Sequence, residues 1–211
     1  MLALRETQTA VSEKLEQQFD AIARGNVDTL EREFSRFTEL LLSLSHGRMT
    51  QEAVYGFVRP YASYRYEIPY LATDIVKADL KNWYQTVYEP AHQARTSSRL
   101  NTQAWVDNIP PETLLLQRAY LQHNVSAIEA FDRMDSANDG TIYSQQHKRY
   151  HASFRDIVNR FGFTDLLLID AATSAIVYSV KKSPLMGASL SHTLLKDSPL
   201  ADLVKTLLTQ Y

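Results

Sequence analysis

Apolar residues recur at helical spacing from the N-terminal side of the chain. Val11, Leu15, Phe19, Ile22, Leu30, Phe34, Phe37, Leu41 and Leu44 follow one another at intervals of three, four and once eight. The pattern predicts one long amphipathic helix over Val11 to Leu44. Gly25-Asn26 interrupts it, but a glycine costs about 1 kcal/mol relative to alanine, too little to stop a helix with a packed stripe. His46-Gly47 ends the run, and a second helix is expected to start near Gln51. Between Tyr55 and Tyr70, Pro60 and Pro69 argue against one continuous helix, so this Tyr- and Arg-rich stretch reads as packed helix and turn. Asp74 to Gln93 is helical again through Ile75, Leu80, Trp83, Tyr84, Val87 and Tyr88, ending around Pro90. The polar run Ala94 to Gln103 reads as loop or linker.

Pro110-Pro111 opens a short helix through Leu114, Leu116, Tyr120 and Leu121, since proline is tolerated in a first turn. Asn124 marks its end, and Ile128, Ala130, Phe131 and Met134 suggest one more short helix. A longer helix follows from Tyr143 to Phe161, with Tyr143, His147, Tyr150, Phe154, Ile157 and Phe161 on one side and Gly162 as its C-terminal residue. Beyond it the pattern changes. Phe163 to Ile169 and Ala175 to Val180 carry the branched and aromatic residues that suit strands, separated by a loop of hairpin length. Two antiparallel strands are expected, leaning on the preceding helix and on a last helix over roughly Leu200 to Leu208, because an isolated hairpin is marginal in water.

Composition narrows the function classes. With 22 Lys plus Arg against 24 Asp plus Glu there is no positive field for a polyanion, and nucleic-acid binding is a poor reading. The Tyr and Arg residues between Tyr55 and Tyr70 could stack on bases, but half-buried tyrosines with a wet hydroxyl explain them better. Zero cysteines exclude disulfides, thiolate metal sites and cysteine nucleophiles. Apolar runs such as Leu166 to Ile169 fall far short of a membrane span of about 20 residues, and Met1 to Ala10 lacks the organisation of a secretory signal.

His147 and His151 stand one helical turn apart, a spacing that can chelate a transition metal, but Lys148 stands where a zincin helix has Glu and no third ligand is near. Asp135 to Gly140 superficially resembles a calcium loop, yet Ala137 and Gln146 occupy ligand positions, so a turn leading into a helix cap is the better reading. Asn124-Val125-Ser126 matches a glycosylation acceptor and carries little weight without a secretory signal. Asp132 and Asp135 form an acid pair best read as solvated carboxylates. No nucleophile elbow, phosphate-cradling loop or cofactor cradle is present, so no cofactor is expected and the chain reads as non-enzymatic.

Three blocks bring a family into view: His147 to Arg155, then Arg160 to Asp170, then Ile176 to Lys181, preceded by Leu116-Gln117, Tyr120, Leu121, Asn124, Asp139-Gly140 and Tyr143 in order. Together they resemble the extracytoplasmic Cache-type (PAS-like) sensor region of bacterial methyl-accepting chemotaxis proteins and related membrane-bound cyclases and phosphatases. The resemblance covers about Pro110 to Ser198. The chain has Ala152 where the family usually has Pro, Ser174 where it has Gly, and Lys182-Ser183-Pro184-Leu185 where it has an acidic and aromatic continuation.

The resemblance implies a mainly helical α+β fold with a long N-terminal helix, a helical module over 1–109 and a partial, truncated sensor module with a small antiparallel sheet over 110–211. It implies an excised extracytoplasmic (periplasmic) portion of a receptor whose flanking membrane helices lie outside this chain. A small-molecule ligand, carboxylate-bearing, would meet Tyr150, Arg155, Tyr178 and Lys181, with the cations on its carboxylate and the tyrosines on its body. The apolar stripe of the long helix makes a homodimer the expected assembly. The rival expectation is a cytosolic helical scaffold or adaptor that binds protein partners.

Overall fold

The computed structural model describes residues 2–97, 101–191 and 194–210, and the side chains of 1–13, 15–17 and 210–211, Val11 and Leu15 among them, lie outside the description. Ten regular elements follow in order: α1 (Leu2–His46), α2 (Arg48–Glu67), α3 (Thr73–Trp83), α4 (Glu89–Thr96), α5 (Thr102–Asn108), α6 (Pro111–Gln117), α7 (Ile142–Phe161), β1 (Leu167–Ile169), β2 (Ile176–Ser179) and α8 (Pro199–Gln210). π turns at Tyr84–Tyr88 and Arg118–Gln122 extend α3 and α6, and a 3-10 turn covers Ile128–Arg133. The fold is mainly helical α+β, with one two-stranded antiparallel sheet among the described residues. None of the described helices is long and apolar enough to cross a membrane.

Contacts divide the chain into Met1–Gln51 and Glu52–Tyr211. The boundary expected from sequence, between 109 and 110, falls inside the second unit, because α2 contributes Ala53, Phe57, Tyr61 and Tyr64 to that unit's core. In the first unit, α1 runs unbroken through Gly25-Asn26, where the Thr29 hydroxyl donates to the Gly25 carbonyl at 2.7 Å. Its apolar stripe is exposed: Phe19 is 69% and Phe34 70% accessible, with Ile22, Val27, Leu30 and Leu41 also exposed.

Two prolines behave differently from the sequence expectation. Pro60 lies within α2, which continues to Glu67. It lacks the N–H that would bond the Gly56 carbonyl, and the helix persists because Phe57, Pro60, Tyr61 and Tyr64 are all buried on one face. Pro90 does not end a helix either, since α4 runs on to Thr96. It sits in the first turn of α4, directly after the π turn, where the missing donor falls on Thr86 inside an already widened turn.

The second unit is organised around aromatic rings. Phe57 of α2 lies 5.2 Å from Tyr143 of α7 and 4.7 Å from Tyr178 of β2, centroid to centroid. Tyr143 also meets Tyr64 at 5.7 Å and Tyr120 at 5.6 Å, edge to face. The buried hydroxyls are satisfied: Tyr143 donates to the Val177 carbonyl at 2.8 Å, Tyr84 to Gln117 at 2.9 Å, and Tyr120 pairs with Ser144 at 2.9 Å.

The hairpin forms where the sequence places it. Leu167 faces Ser179, Leu168 faces Tyr178 and Ile169 faces Ile176, so Val177 is an extra residue opposite the Leu168–Ile169 step. That irregularity frees the Val177 carbonyl for Tyr143 and clasps the sheet to α7. A third backbone segment joins the far edge of β2: Gly187 N–H donates to the Ile176 carbonyl at 2.7 Å, Ile176 N–H to Ala188 at 2.8 Å and Leu190 N–H to Ser174 at 2.9 Å. Gly187 has φ +82°, and a Cβ there would stand 2.8 Å from the Thr113 methyl, so only glycine lets this segment close against α6. Tyr61, Thr113 and the Gly187 carbonyl share the hydrogen bonds at that point.

Candidate functional site

Between the end of β2 and the third segment the chain makes a left-handed turn at Lys182, φ +54°. A non-glycine residue there costs about 1–2 kcal/mol, and the turn drives the lysine inward rather than to solvent. Lys182 is 1% exposed. Its N–H is held by the Ser179 hydroxyl at 2.9 Å, and Ser179 in turn donates to Asp165 at 2.7 Å. Asp165 also accepts the N–H groups of Leu166 and Lys181, and burial raises its carboxyl above the ordinary range despite those bonds.

The Lys182 Nζ lies 2.9 Å from His151 Nε2. His151 is fully buried, 2.6 Å from the Tyr178 hydroxyl through Nδ1 and 2.6 Å from the Asp132 carbonyl through Nε2. A carbonyl only accepts, so the proton belongs on Nε2, and Nδ1 accepts from Tyr178. A donor N–H at 2.9 Å suits an uncharged Lys182 amine whose lone pair shares that proton. Burial, with Arg155 nearby, pulls Lys182 down to about 7, although Asp132 works in the opposite direction. Burial and the neighbouring lysine likewise hold His151 at about 4.

His147 stacks on His151 at 4.3 Å, donates from Nδ1 to the Asp135 carbonyl at 2.7 Å, and is pushed well below the ordinary imidazole range by burial. Its Nε2 is buried without a hydrogen-bond partner. No group of three metal-ligating side chains occurs among the described residues.

Asp132 is 8% exposed, so it is not the solvated carboxylate read from sequence. It pairs with Lys181 at 2.9 Å; burial alone would raise its carboxyl, but that hydrogen bond and the surrounding cations hold it below the ordinary range. Arg155 pairs with Asp135 and donates to the Asp132 carbonyl, both at 2.6 Å. These contacts lie beside a cavity of about 350 Å³ whose wall includes Tyr88, Arg95, Glu129, Phe131, Lys181 and Lys182. Arg95 faces Glu129 at 3.6 Å. Each of Arg95, Lys181 and Arg155 thus has its own carboxylate, while Lys182 has an imidazole.

The four residues named from sequence divide. Lys181 lines the cavity, and Arg155 and Tyr178 stand behind it, fixing Asp135, Asp132 and His151. Tyr150 lies elsewhere, buried against Phe57 and Phe154 with Arg149 over its ring. Sequence reasoning passed over Lys182, His151 and Asp132 as a group; the signal was His147 and His151 on the inner side of an apolar helix, four residues apart. Neither a family model, nor a curated protein, nor a solved structure matches the chain. What its own residues define is a mainly helical α+β protein with a buried lysine–histidine cluster at a cavity wall.

Proposed function

We propose that this chain is a non-enzymatic ligand-sensing module of the Cache type, the extracytoplasmic portion of a bacterial transmembrane receptor, and that its ligand is a small carboxylate. The observation that carries this reading is the buried Lys182 at the cavity wall, whose amine meets the His151 imidazole, while among the described residues Arg95, Lys181 and Arg155 each face a carboxylate. A ligand carboxylate supplies the missing charge, favours the ammonium form, and adds a charge-assisted hydrogen bond in a place shielded from water. Arg155 and Tyr178 act as positioning residues through Asp135 and His151. The hairpin clasped to α7 supports a sensing role as well, because a ligand that favours one packing of sheet against helix shifts the population of two states by its differential affinity.

A thermal-shift screen of carboxylates, amines and neutral compounds tests the proposal. Carboxylates alone are expected to raise the midpoint, since a ligand that binds only the native form stabilises it by about 2.7 kcal/mol at one hundred times its Kd. Uniform silence across the carboxylates would overturn the reading and favour a scaffold.

Assembly belongs to the same reading. Val27, Leu30, Phe34, Phe37, Leu41 and Leu44 alternate at spacings of three and four, the seam of a two-stranded coiled coil, and the occupant that matches this face is a second copy of α1. Sedimentation velocity is expected to give a dimer that Phe34→Asp dissociates; a wild-type monomer at high concentration removes this part.

A further inference from the structure

We infer that the ligand is bipartite, an aryl carboxylate whose ring occupies a second compartment next to the cationic one. This inference rests on the carboxylate-sensing reading above. A second cavity of about 440 Å³ is lined by Tyr88, His92, Trp105, Pro184, Leu185 and Leu195, among others, and among the described residues no Lys, Arg, Asp or Glu lines it. Tyr88 and Ser183 belong to both cavities, so the two compartments adjoin across a shared wall. One compartment presents lysines and the other presents rings and aliphatic side chains, which is the division of labour that a ligand with a charged head and a flat apolar body requires.

Trp105 lines the second compartment and also a smaller neighbouring one, and its buried indole N–H has no hydrogen-bond partner among the described residues, a costly condition that an acceptor on the ligand ring relieves where it reaches the donor. Tyr88 and His92 stack with their planes 16° apart, giving the compartment a parallel aromatic side wall against which a ring can lie. The chain segment linking the compartments is Lys182-Ser183-Pro184-Leu185: the lysine faces the cationic side, and Pro184 and Leu185 line the apolar side.

Three probes separate the parts: 3-(4-methoxyphenyl)propanoate, which has head, ring and acceptor; propanoate, which has only the head; and 3-(4-methoxyphenyl)propan-1-ol, which has only the body. Calorimetric titration of the whole chain is expected to find the aryl acid binding at least about 30-fold more tightly than either fragment. Trp105→Phe, which keeps a ring but removes the donor, is expected to weaken the aryl acid about 3- to 10-fold and leave propanoate unchanged. Propanoate binding as tightly as the aryl acid, with Trp105→Phe silent, overturns the bipartite ligand and leaves the carboxylate site standing. The alcohol binding as tightly as the acid overturns the carboxylate site itself.

Discussion

Lys182→Met is expected to raise the midpoint of thermal unfolding at pH 7 and to abolish carboxylate binding. Lys182 falls from an ordinary value of 10.5 to about 7 in the folded protein. Between those values the unfolded chain holds a proton that the native state refuses, so wild-type stability climbs as pH rises from about 7 toward 10.5. At pH 7 and below, the full cost of the buried amine is present, on the order of 4 kcal/mol. Methionine fills a similar volume without that cost, while keeping the strained left-handed turn and losing the contact to His151. A net gain of about 2 kcal/mol is therefore expected, or roughly 4–8 °C for a chain of this size. The gain should shrink on going from pH 7 to 9.5. Calorimetric unfolding at both pH values checks this, and a variant that is less stable than wild type at pH 7 would refute the idea that the lysine is held there at a cost. The predicted trade of stability for binding is what a functional buried charge implies.

Mild acid is expected to destabilise the protein steeply. His151 is held at about 4 and His147 well below the ordinary 6.5. The unfolded chain therefore takes up two protons near pH 6.5 that the native state does not, and stability falls as pH drops below that point. Each histidine costs about 2 kcal/mol by pH 5, so unfolding free energies from urea titration at pH 7 and pH 5 should differ by about 4 kcal/mol. Asp132 and Asp139, held below the ordinary carboxylate range, add to the loss only at lower pH. A curve that is flat between pH 7 and 5 would show that the imidazoles are not buried in neutral form. His151→Gln should remove about half the slope, because glutamine can still donate toward the Asp132 carbonyl without titrating.

The order of elements was largely legible in the sequence because their signals are local. Gly162 takes φ +68° at the end of α7, and Thr141 caps its start by accepting from Ser144 N–H. The hairpin was readable from its residue types, and Ser174, where the resembled family has glycine, does adopt φ +56°. Pro60 and Pro90 misled because a proline's effect depends on what its helix buries and on whether a π turn precedes it, neither of which is a local property. The site was only partly legible. Lys181 and Lys182 look equivalent in sequence, and alternation along a strand would send one of them to each face. The left-handed turn at 182 decides that the second goes inside, where Ser179 and His151 receive it. Asp132 looked solvated because its partner, Lys181, comes 49 residues later.

The π turn at Tyr84–Tyr88 has a consequence for how this protein tolerates change in length. One surplus residue in that turn sets the rotational phase of everything after it, and in an α-helix one residue is worth about 100° of rotation. Tyr88, His92 and Arg95 reach the two compartments only in the present phase. Deleting one of the exposed Gln85, Thr86 or Val87 is expected to restore regular helical spacing and to swing all three side chains away from the walls they form. Here the spacing of the chain, more than the identity of its residues, encodes the chamber.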